Sequence, residues 1–185
     1  MKSAIFYQFY PSPVGKLLLI ANQKGLLGIE FEQEQNEQLV QTWQNTEDAS
    51  GEIKAIFCKT TAILDRYFAG ETLDFSKLDF LAPQGSDFQQ AVWKKLLEIP
   101  YGKTTSYGEI ALSLNNPKAV RAVGGAVGRN PISILIPCHR VLGKTQSLTG
   151  FGGGLPAKRY LLQLENIEYK DKGIEFVQHK NKKWS

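Results

Sequence analysis

Hydrophobic and polar positions in the first part of the chain predict short strands followed by one long helix. Residues 5–10 alternate weakly, and short apolar runs follow at 16–21 and 26–31, which is typical of β-strands. The turn-forming segment 22–25 between these runs indicates a hairpin. Mostly apolar side chains then recur at helical spacing: Ile53, Ile56, Phe57, Thr60, Ile63, Leu64, Tyr67 and Phe68. That spacing predicts an amphipathic helix ended by Gly70.

A weaker helical pattern lies between the strands and this long helix. In the polar segment 33–45, three apolar residues have helical spacing, namely Leu39, Val40 and Trp43, and they indicate a modest helix. In the long helix, Cys58 points away from the apolar stripe. We therefore assign Cys58 no role.

The chain changes to a more helical pattern after the segment 81–85, which has the composition of a linker. We therefore predict a small α/β domain over residues 1–80 and a second, mostly helical domain over 86–169. Residues 170–185 form a basic tail rich in lysine.

Capping boxes open the first two helices of the second domain. The paired residues are Ser86 with Gln89, and Ser106 with Glu109. A tight turn at 115–117 follows, and Pro117 suits the first turn of a third helix over 118–128. Two short helices joined by such a turn form a helix-turn-helix pattern, which also occurs in proteins that bind no DNA.

The third predicted helix has one apolar face and one unusually bare face. Its core face is formed by Val120, Val123 and Val127. Arg121 lies roughly opposite, flanked by Gly124, Gly125 and Gly128. Each glycine inside a helix costs about 1 kcal/mol relative to alanine. Bare backbone beside one arginine suits the close approach of a large partner, although close helix–helix packing is an alternative reason for glycine.

An apolar run over residues 132–136 leads into Pro137, Cys138, His139 and Arg140. The run predicts a segment that enters the interior and presents Cys138 where regular structure ends. A cysteine in such a run can simply be packed, because free cysteines are often buried. Two ionisable neighbours at a core boundary favour a nucleophilic thiol, because the thiolate is the reactive form.

Composition and charge limit the function classes without choosing among them. The 185 residues allow one domain or two small ones, and 42% hydrophobic with 22% charged residues are ordinary for a globular protein. A net charge of +4 permits contact with a polyanion such as nucleic acid but does not establish it.

Cysteine and histidine positions argue against a metal site. The two cysteines and two histidines lie at 58, 138, 139 and 179, and this spacing does not match a zinc site. No apolar run reaches membrane-spanning length, and the start lacks the apolar core of a signal peptide. Free thiols without a signal are expected in the reducing cytoplasm.

The motif Pro-Cys-His-Arg-Val at 137–141 resembles the active-site signature of the O6-alkylguanine-DNA alkyltransferases. The resemblance extends over 83–167, including the segments 88–93, 99–102, 105–108, 128–136, 149–151 and 158–165. It implies a ribonuclease H-like α/β domain followed by a winged-helix-like helix-turn-helix domain. It also implies a monomer that needs no cofactor and acts on double-stranded DNA that contains O6-alkylguanine. Some relatives carry zinc in the amino-terminal domain, but this chain lacks the ligands there.

The family reaction implies roles for four catalytic residues. An alkyl group moves from O6 of guanine, or from O4 of thymine in some cases, to Cys138, once per molecule. By this resemblance His139 acts as a base through a bridging water, and Glu165 orients His139. Tyr107 helps the guanine to leave. A thiolate held in this way is expected to have a pKa below the free-cysteine value of about 8.5.

The same resemblance implies residues that hold DNA and the flipped guanine. Arg121 replaces the flipped base in the stack, and Gly124 and Gly125 lie on the helix face that enters the minor groove. Asn130 ties that helix to the active-site loop. Backbone groups of Val141, and one near Gly152, bind the guanine edges. Some relatives have serine at the position of Gly152, so the preference for alkyl size stays open.

Three other functions compete with this one. A non-catalytic alkylguanine-binding relative would lack the acceptor that Cys138 provides. A helix-turn-helix regulator would not require a Pro-Cys-His-Arg segment at the end of an apolar run. A cysteine hydrolase would turn over repeatedly and would not require the glycine face beside Arg121.

Overall fold

The computed structural model describes residues 4–32, 40 and 43–171, and these form two compact units. The first unit contains the described residues up to Glu71, together with Lys77–Gln84 and Pro131–Ser133. The second contains Thr72–Ser76, Gly85–Asn130 and the described residues from Ile134 onwards. The predicted basic tail lies outside the described residues from position 172.

The first unit is built on a four-stranded sheet in the order β3-β2-β1-β4. The strands are β1 (Phe6–Ser12), β2 (Gly15–Asn22), β3 (Gly25–Phe31) and β4 (Gln44–Asn45). The first three pair as antiparallel hairpins, and β4 runs parallel to β1. Gly25 must be glycine in the second hairpin, because its φ is +142° and a Cβ there would collide with the Phe80 carbonyl. The predicted strands and hairpin are confirmed.

Helix α1 (Gly51–Phe68) belongs to the same unit and confirms the long predicted helix. Its buried side chains are Ile53, Phe57, Thr60, Leu64 and Tyr67. Full burial of each large apolar side chain contributes about 1.5–3 kcal/mol, so this stripe anchors the helix. Cys58 is exposed, as the pattern predicted.

Most of the modest helix predicted over 33–45 lies outside the described residues. Within the described residues, the prediction is wrong at the end of this helix, because Gln44 and Asn45 form strand β4. The Gln44 N–H donates to the Ile5 carbonyl at 2.9 Å, so a partner distant in sequence overrides the local pattern.

The second unit contains four helices among its described residues: α2 (Asp87–Leu97), α3 (Tyr107–Ser113), α4 (Val120–Gly128) and α5 (Leu155–Leu164). Both predicted capping boxes are present, with the Ser86 and Ser106 side chains accepting from the third helical N–H. The same unit contains two short strands, β5 (Thr105–Ser106) and β6 (Val141–Leu142), which pair in parallel. Helix α5 is fixed by an apolar cluster: Leu142, Leu148, Leu155, Leu162 and Ile167.

Two details predicted for the third helix of this unit are wrong. Helix α4 begins at Val120, and Pro117 lies in a turn before it instead of in its first turn. Val120 is 40% exposed and does not belong to the core face, which is formed by Val123, Ala126 and Val127. The packed contact lies further along, where Trp93 Nε1 donates to the Ala126 carbonyl at 2.9 Å. Val120 lies about 9 Å before that point along the helix axis.

The apolar run before the cysteine is fully buried, as predicted: Ile132, Ile134, Leu135 and Ile136. The second half of the run belongs to the second unit and leads through Pro137 into a 3₁₀ turn, Cys138–Arg140. Among the described residues, no helix has the length and apolar character that crossing a bilayer requires.

Candidate active site

Cys138 is presented by a sharp reversal of the chain. Pro137 has φ −81° and ψ 66°, and the Cys138 N–H donates to the Ile136 carbonyl at 2.7 Å, which together form an inverse γ-turn. The turn stops the buried run and begins the 3₁₀ turn that contains the thiol. Cys138 is 8% exposed and therefore counts among the buried residues of the chain.

The segment before the thiol is strained and held in place. Ile134 has φ 75°, a conformation that costs about 1–3 kcal/mol and is rare for a β-branched residue. Its side chain is fully buried, which fixes the strained backbone by packing. Asn130, just after α4, donates from Nδ2 to the Ile136 carbonyl at 2.7 Å. The end of α4 is thereby joined to the segment that carries Cys138.

His139 and Glu165 form a buried pair. His139 Nε2 and Glu165 Oε2 lie 2.5 Å apart, and both side chains are fully enclosed. Burial lowers the pKa of His139, although the neighbouring Glu165 carboxylate opposes that shift. A neutral imidazole that donates its Nε2 proton to a carboxylate has its lone pair on Nδ1. That tautomer gives His139 the form of a general base.

Glu165 joins three parts of the second unit through hydrogen bonds. It caps the end of α5, where a helix dipole disfavours a carboxylate. Arg140 Nε donates to Oε1 at 2.8 Å and the Gly102 N–H donates to the same oxygen at 3.1 Å, while His139 engages Oε2. These hydrogen bonds to Glu165 offset both the unfavourable helix dipole and the cost of burying its negative charge.

Arg140 does not stabilise the thiol directly, contrary to what its place in the sequence suggested. It is 2% exposed, and besides Glu165 it donates from Nη1 to the Ile99 carbonyl at 2.7 Å. Neighbours in sequence leave a 3₁₀ turn about 120° apart, because the turn has three residues per revolution. The Arg140 side chain is therefore directed to the Glu165 carboxylate.

The expectation of a low cysteine pKa is also wrong for the resting protein. Burial raises the pKa of Cys138, because a low-dielectric site disfavours the charged form. An Asn130 hydrogen bond, the Lys158 charge and nearby backbone N–H groups oppose that rise without cancelling it. With its pKa raised in this way, the Cys138 thiol is protonated at neutral pH.

Lys158 is a site residue that the sequence analysis missed. It is 1% exposed, and its Nζ donates to the Val141 carbonyl at 2.8 Å and to Thr149 Oγ1 at 3.0 Å. Burial lowers the pKa of Lys158 to about 8, and the proximity of Cys138 opposes that change. Its sequence signal was a lysine between Leu155 and Leu161 on the buried face of α5.

Tyr107 reaches the same cluster from the start of α3. Its hydroxyl lies 3.0 Å from Thr149 Oγ1, and Thr149 also accepts from Lys158. Burial raises the pKa of Tyr107, the hydrogen bond with Thr149 opposes that rise and Cys138 adds to it, so the phenol holds its proton. The structure thus brings Tyr107, Val141 and Cys138 together around Thr149 and Lys158.

The residues expected to contact DNA lie on an exposed face of α4. Arg121 and Gly125 are exposed, and Gly124 is half-buried. A Cβ at Gly125 would meet nothing within 4 Å, and one at Gly124 would approach only Tyr107, at 3.9 Å. Packing inside the chain therefore does not require either glycine. In the described part of the chain, Arg121 stands outside the hydrogen-bonded network around Cys138.

Gly152 lies on the exposed loop between β6 and α5. A Cβ there would meet nothing within 4 Å, so the chain has room for a side chain at this position. Over the described ranges, no three His, Cys, Asp or Glu side chains are grouped as metal ligands.

Family models match both parts of the chain. Residues 5–82 match the ribonuclease-like domain of 6-O-methylguanine DNA methyltransferase, and residues 87–167 match its DNA binding domain. A methylated-DNA–protein-cysteine methyltransferase of Haemophilus influenzae is 53% identical over 173 residues, covering 94% of this chain and 93% of that protein.

Solved structures agree with this similarity. A crystal structure of Mycobacterium tuberculosis OGT in complex with DNA is 44% identical, has a TM-score of 0.73, and covers 86% of this chain and 92% of its own. A crystal structure of Mycobacterium tuberculosis O6-methylguanine methyltransferase is 40% identical with a TM-score of 0.71, covering 90% of this chain and 96% of its own.

Proposed function

This chain belongs to the 6-O-methylguanine DNA methyltransferase family, which repairs DNA by alkyl transfer to a cysteine, and we propose that Cys138 is the acceptor. One observation carries the assignment: Cys138 adjoins the buried hydrogen bond between His139 and Glu165. The other cysteine, Cys58, is exposed on α1 and belongs to the first unit.

We call Cys138, His139 and Glu165 the relay. The relay removes the thiol proton as the alkyl group is transferred. His139, made neutral by burial and fixed in one tautomer by Glu165, takes the Cys138 proton through a bridging water. The sulfur attacks the alkyl carbon, the S–C bond forms, and the C–O6 bond breaks. The Lys158 charge near Cys138 stabilises the developing thiolate.

Tyr107 completes the proton balance on the guanine side. Its phenol is protonated and close to Cys138, so it donates its proton to the departing guanine, which leaves as a neutral base. The proton that His139 took from Cys138 then returns through water to the Tyr107 phenolate. The Val141 carbonyl keeps a second lone pair beyond its bond to Lys158 and accepts from a guanine N–H. A backbone N–H near Gly152 contacts another guanine edge. The thioether on Cys138 is chemically stable, so each molecule reacts once.

The substrate is O6-alkylguanine in double-stranded DNA, reached by flipping the nucleotide out of the stack. Extrusion of a base costs a few kcal/mol, and Arg121 on the exposed face of α4 offsets part of this cost by filling the gap. Gly124 and Gly125 let the backbone of that face approach the minor groove. Asn130 couples the same helix to the Cys138 segment.

The protein acts as a monomer in a reducing compartment such as the cytoplasm. The relay, the phenol and the thiol all come from residues 99–165 of one chain, so no second copy is needed to complete the site. The reaction consumes a free thiol, which a reducing compartment preserves. The domain limits that we propose are 1–80 and 86–169, separated by a linker at 81–85.

Intact-mass measurement after mixing with a duplex oligonucleotide containing O6-methylguanine tests this function. The protein should gain one methyl group, located on Cys138 by peptide mapping, with at most one turnover. Cys138→Ser should bind the duplex and accept nothing, whereas Cys58→Ser should react like the parent. Repeated turnover would instead indicate a cysteine hydrolase, and binding without methyl gain would indicate a non-catalytic alkylguanine-binding protein.

A further inference from the structure

The Thr149 hydroxyl lies between a buried ammonium and a phenol. Lys158 Nζ is 3.0 Å from Thr149 Oγ1, and Tyr107 Oη is 3.0 Å from the same oxygen. The three groups come from α5, from the loop before it and from the start of α3. The Thr149 oxygen thus bridges the lysine and the phenol.

The chemistry of the lysine sets the direction of one of these hydrogen bonds. A protonated lysine can only donate, so Thr149 Oγ1 accepts from Lys158. The Thr149 hydroxyl keeps its own proton and can donate it to the Tyr107 oxygen, 3.0 Å away, although either hydroxyl of this pair can be the donor. When Tyr107 accepts from Thr149, its own proton is directed away from Thr149.

We propose that Thr149 is a positioning residue for alkyl transfer: its hydroxyl transmits the Lys158 charge to Tyr107 and directs the phenolic proton to the leaving guanine. This inference rests on the proposed function, in which Tyr107 is the proton donor. It adds a residue whose side chain contacts neither the thiol nor the relay pair in the described hydrogen bonds.

Burial makes the hydrogen-bonded chain effective. Consecutive hydrogen bonds polarise one another, and the effect is larger at low dielectric. Lys158 is fully enclosed, so its charge is poorly screened by solvent. A phenol that accepts from a hydroxyl linked to a cation is a stronger proton donor than an isolated phenol. The ionisable groups near this lysine are Cys138 and His139, together with Tyr107 through the bridge.

A structural role for Thr149 leads to a different expectation. If its hydroxyl merely satisfies Lys158, removing it would disturb Lys158 and Cys138 whether or not Tyr107 has a hydroxyl. If Thr149 acts through Tyr107, removing it should matter only while the Tyr107 hydroxyl is present. A double-mutant cycle separates the two roles, because it isolates the coupling of adjacent groups.

The experiment measures single-turnover methyl transfer at saturating duplex, together with duplex affinity and melting temperature. The variants are Thr149→Val, Thr149→Ala and Thr149→Ser, each with Tyr107 intact and with Tyr107→Phe. With Tyr107 intact, Thr149→Val should slow transfer by about tenfold, a share of the roughly 10²–10⁴-fold that general acid–base catalysis supplies. Duplex affinity should not change, and Thr149→Ser should restore transfer.

In the Tyr107→Phe background, neither Thr149→Val nor Thr149→Ala should slow transfer further. An equal slowing in both backgrounds would contradict the inference and assign Thr149 a structural role. Parental transfer by Thr149→Val would contradict it as well. The proposed function fails separately, when the parent gains no methyl group on Cys138 or when Tyr107→Phe transfers at the parental rate. Two different Thr149 variants ensure that the result does not depend on one of them folding.

Discussion

Replacing Glu165 with glutamine should destabilise the second unit and slow alkyl transfer. The substitution keeps the shape of the side chain but removes its charge. Glu165 accepts from Arg140 and Gly102 through Oε1 and from His139 through Oε2. A glutamine has one carbonyl oxygen, so it can satisfy one side of this arrangement while its NH₂ group faces a donor on the other.

The structure sets the size of the effect. Arg140 and Glu165 are almost fully enclosed, and breaking such a buried pair costs about 3–5 kcal/mol because the remaining charge has no counterion. For a protein of this size, 1 kcal/mol lowers the melting temperature by roughly 2–4 °C. Glu165→Gln should therefore lower it by roughly 6–20 °C.

Glu98→Gln is the matched control. Glu98 pairs with Lys95 at 3.6 Å on the surface, with its side chain 65% exposed. Exposed pairs contribute about 0–1 kcal/mol, so the control should melt close to the parent. Thermal unfolding by circular dichroism and single-turnover transfer on duplex DNA are measured for both variants, with transfer measured below the lowest melting temperature.

The catalytic effect is expected to be separate from the stability effect. Without the carboxylate, the His139 tautomer is no longer fixed, and folded Glu165→Gln should transfer more slowly with duplex affinity nearly unchanged. Equal melting temperatures for Glu165→Gln and Glu98→Gln would refute the buried-pair reasoning. A parental transfer rate in Glu165→Gln would refute the relay.

Three further outcomes are expected. Arg121→Ala should slow repair strongly in duplex DNA and much less on free O6-benzylguanine, which needs no flipping; equal loss on both substrates would contradict a stacking role. The pKa of Lys158 is lowered to about 8 in the folded protein, so its buried positive charge opposes folding below that pH. As the pH rises, Lys158 loses its proton in the folded protein before it does so in the unfolded chain. The free energy of unfolding should then rise between about pH 8 and the ordinary lysine pKa of 10.5 in Cys138→Ser, and Lys158→Met in that background should abolish the rise in a urea titration series. Gly152→Ser should leave the melting temperature unchanged, because a Cβ there meets nothing within 4 Å; comparing methyl with benzyl transfer then reports alkyl-size preference.

Local signals in the sequence predicted local structure well. Each capping box pairs residues three positions apart, so both partners lie within one predicted turn. The apolar stripe of α1 likewise needs no knowledge of the rest of the fold. The burial of the run before Cys138 was predicted from the apolar side chains of that run alone.

The features that sequence analysis missed depend on distant partners. Lys158 is held by Val141, 17 residues away, and strand β4 forms because Gln44 meets Ile5. The raised pKa of Cys138 also depends on distant parts of the chain, because the fold causes the burial that raises it. Its near neighbour in sequence, Arg140, is committed to Glu165, 25 residues away, so closeness in the chain did not translate into stabilisation of the thiolate.

The burial of Cys138 also governs how long an unused molecule stays competent. A protein that reacts once is a stored reagent, and any thiol lost to peroxide or a stray electrophile is a molecule lost. Oxidation follows thiolate character and exposure, and Cys138 is low in both, whereas Cys58 is exposed. The enclosure that raises the pKa of Cys138 thus preserves the reagent until a damaged base arrives.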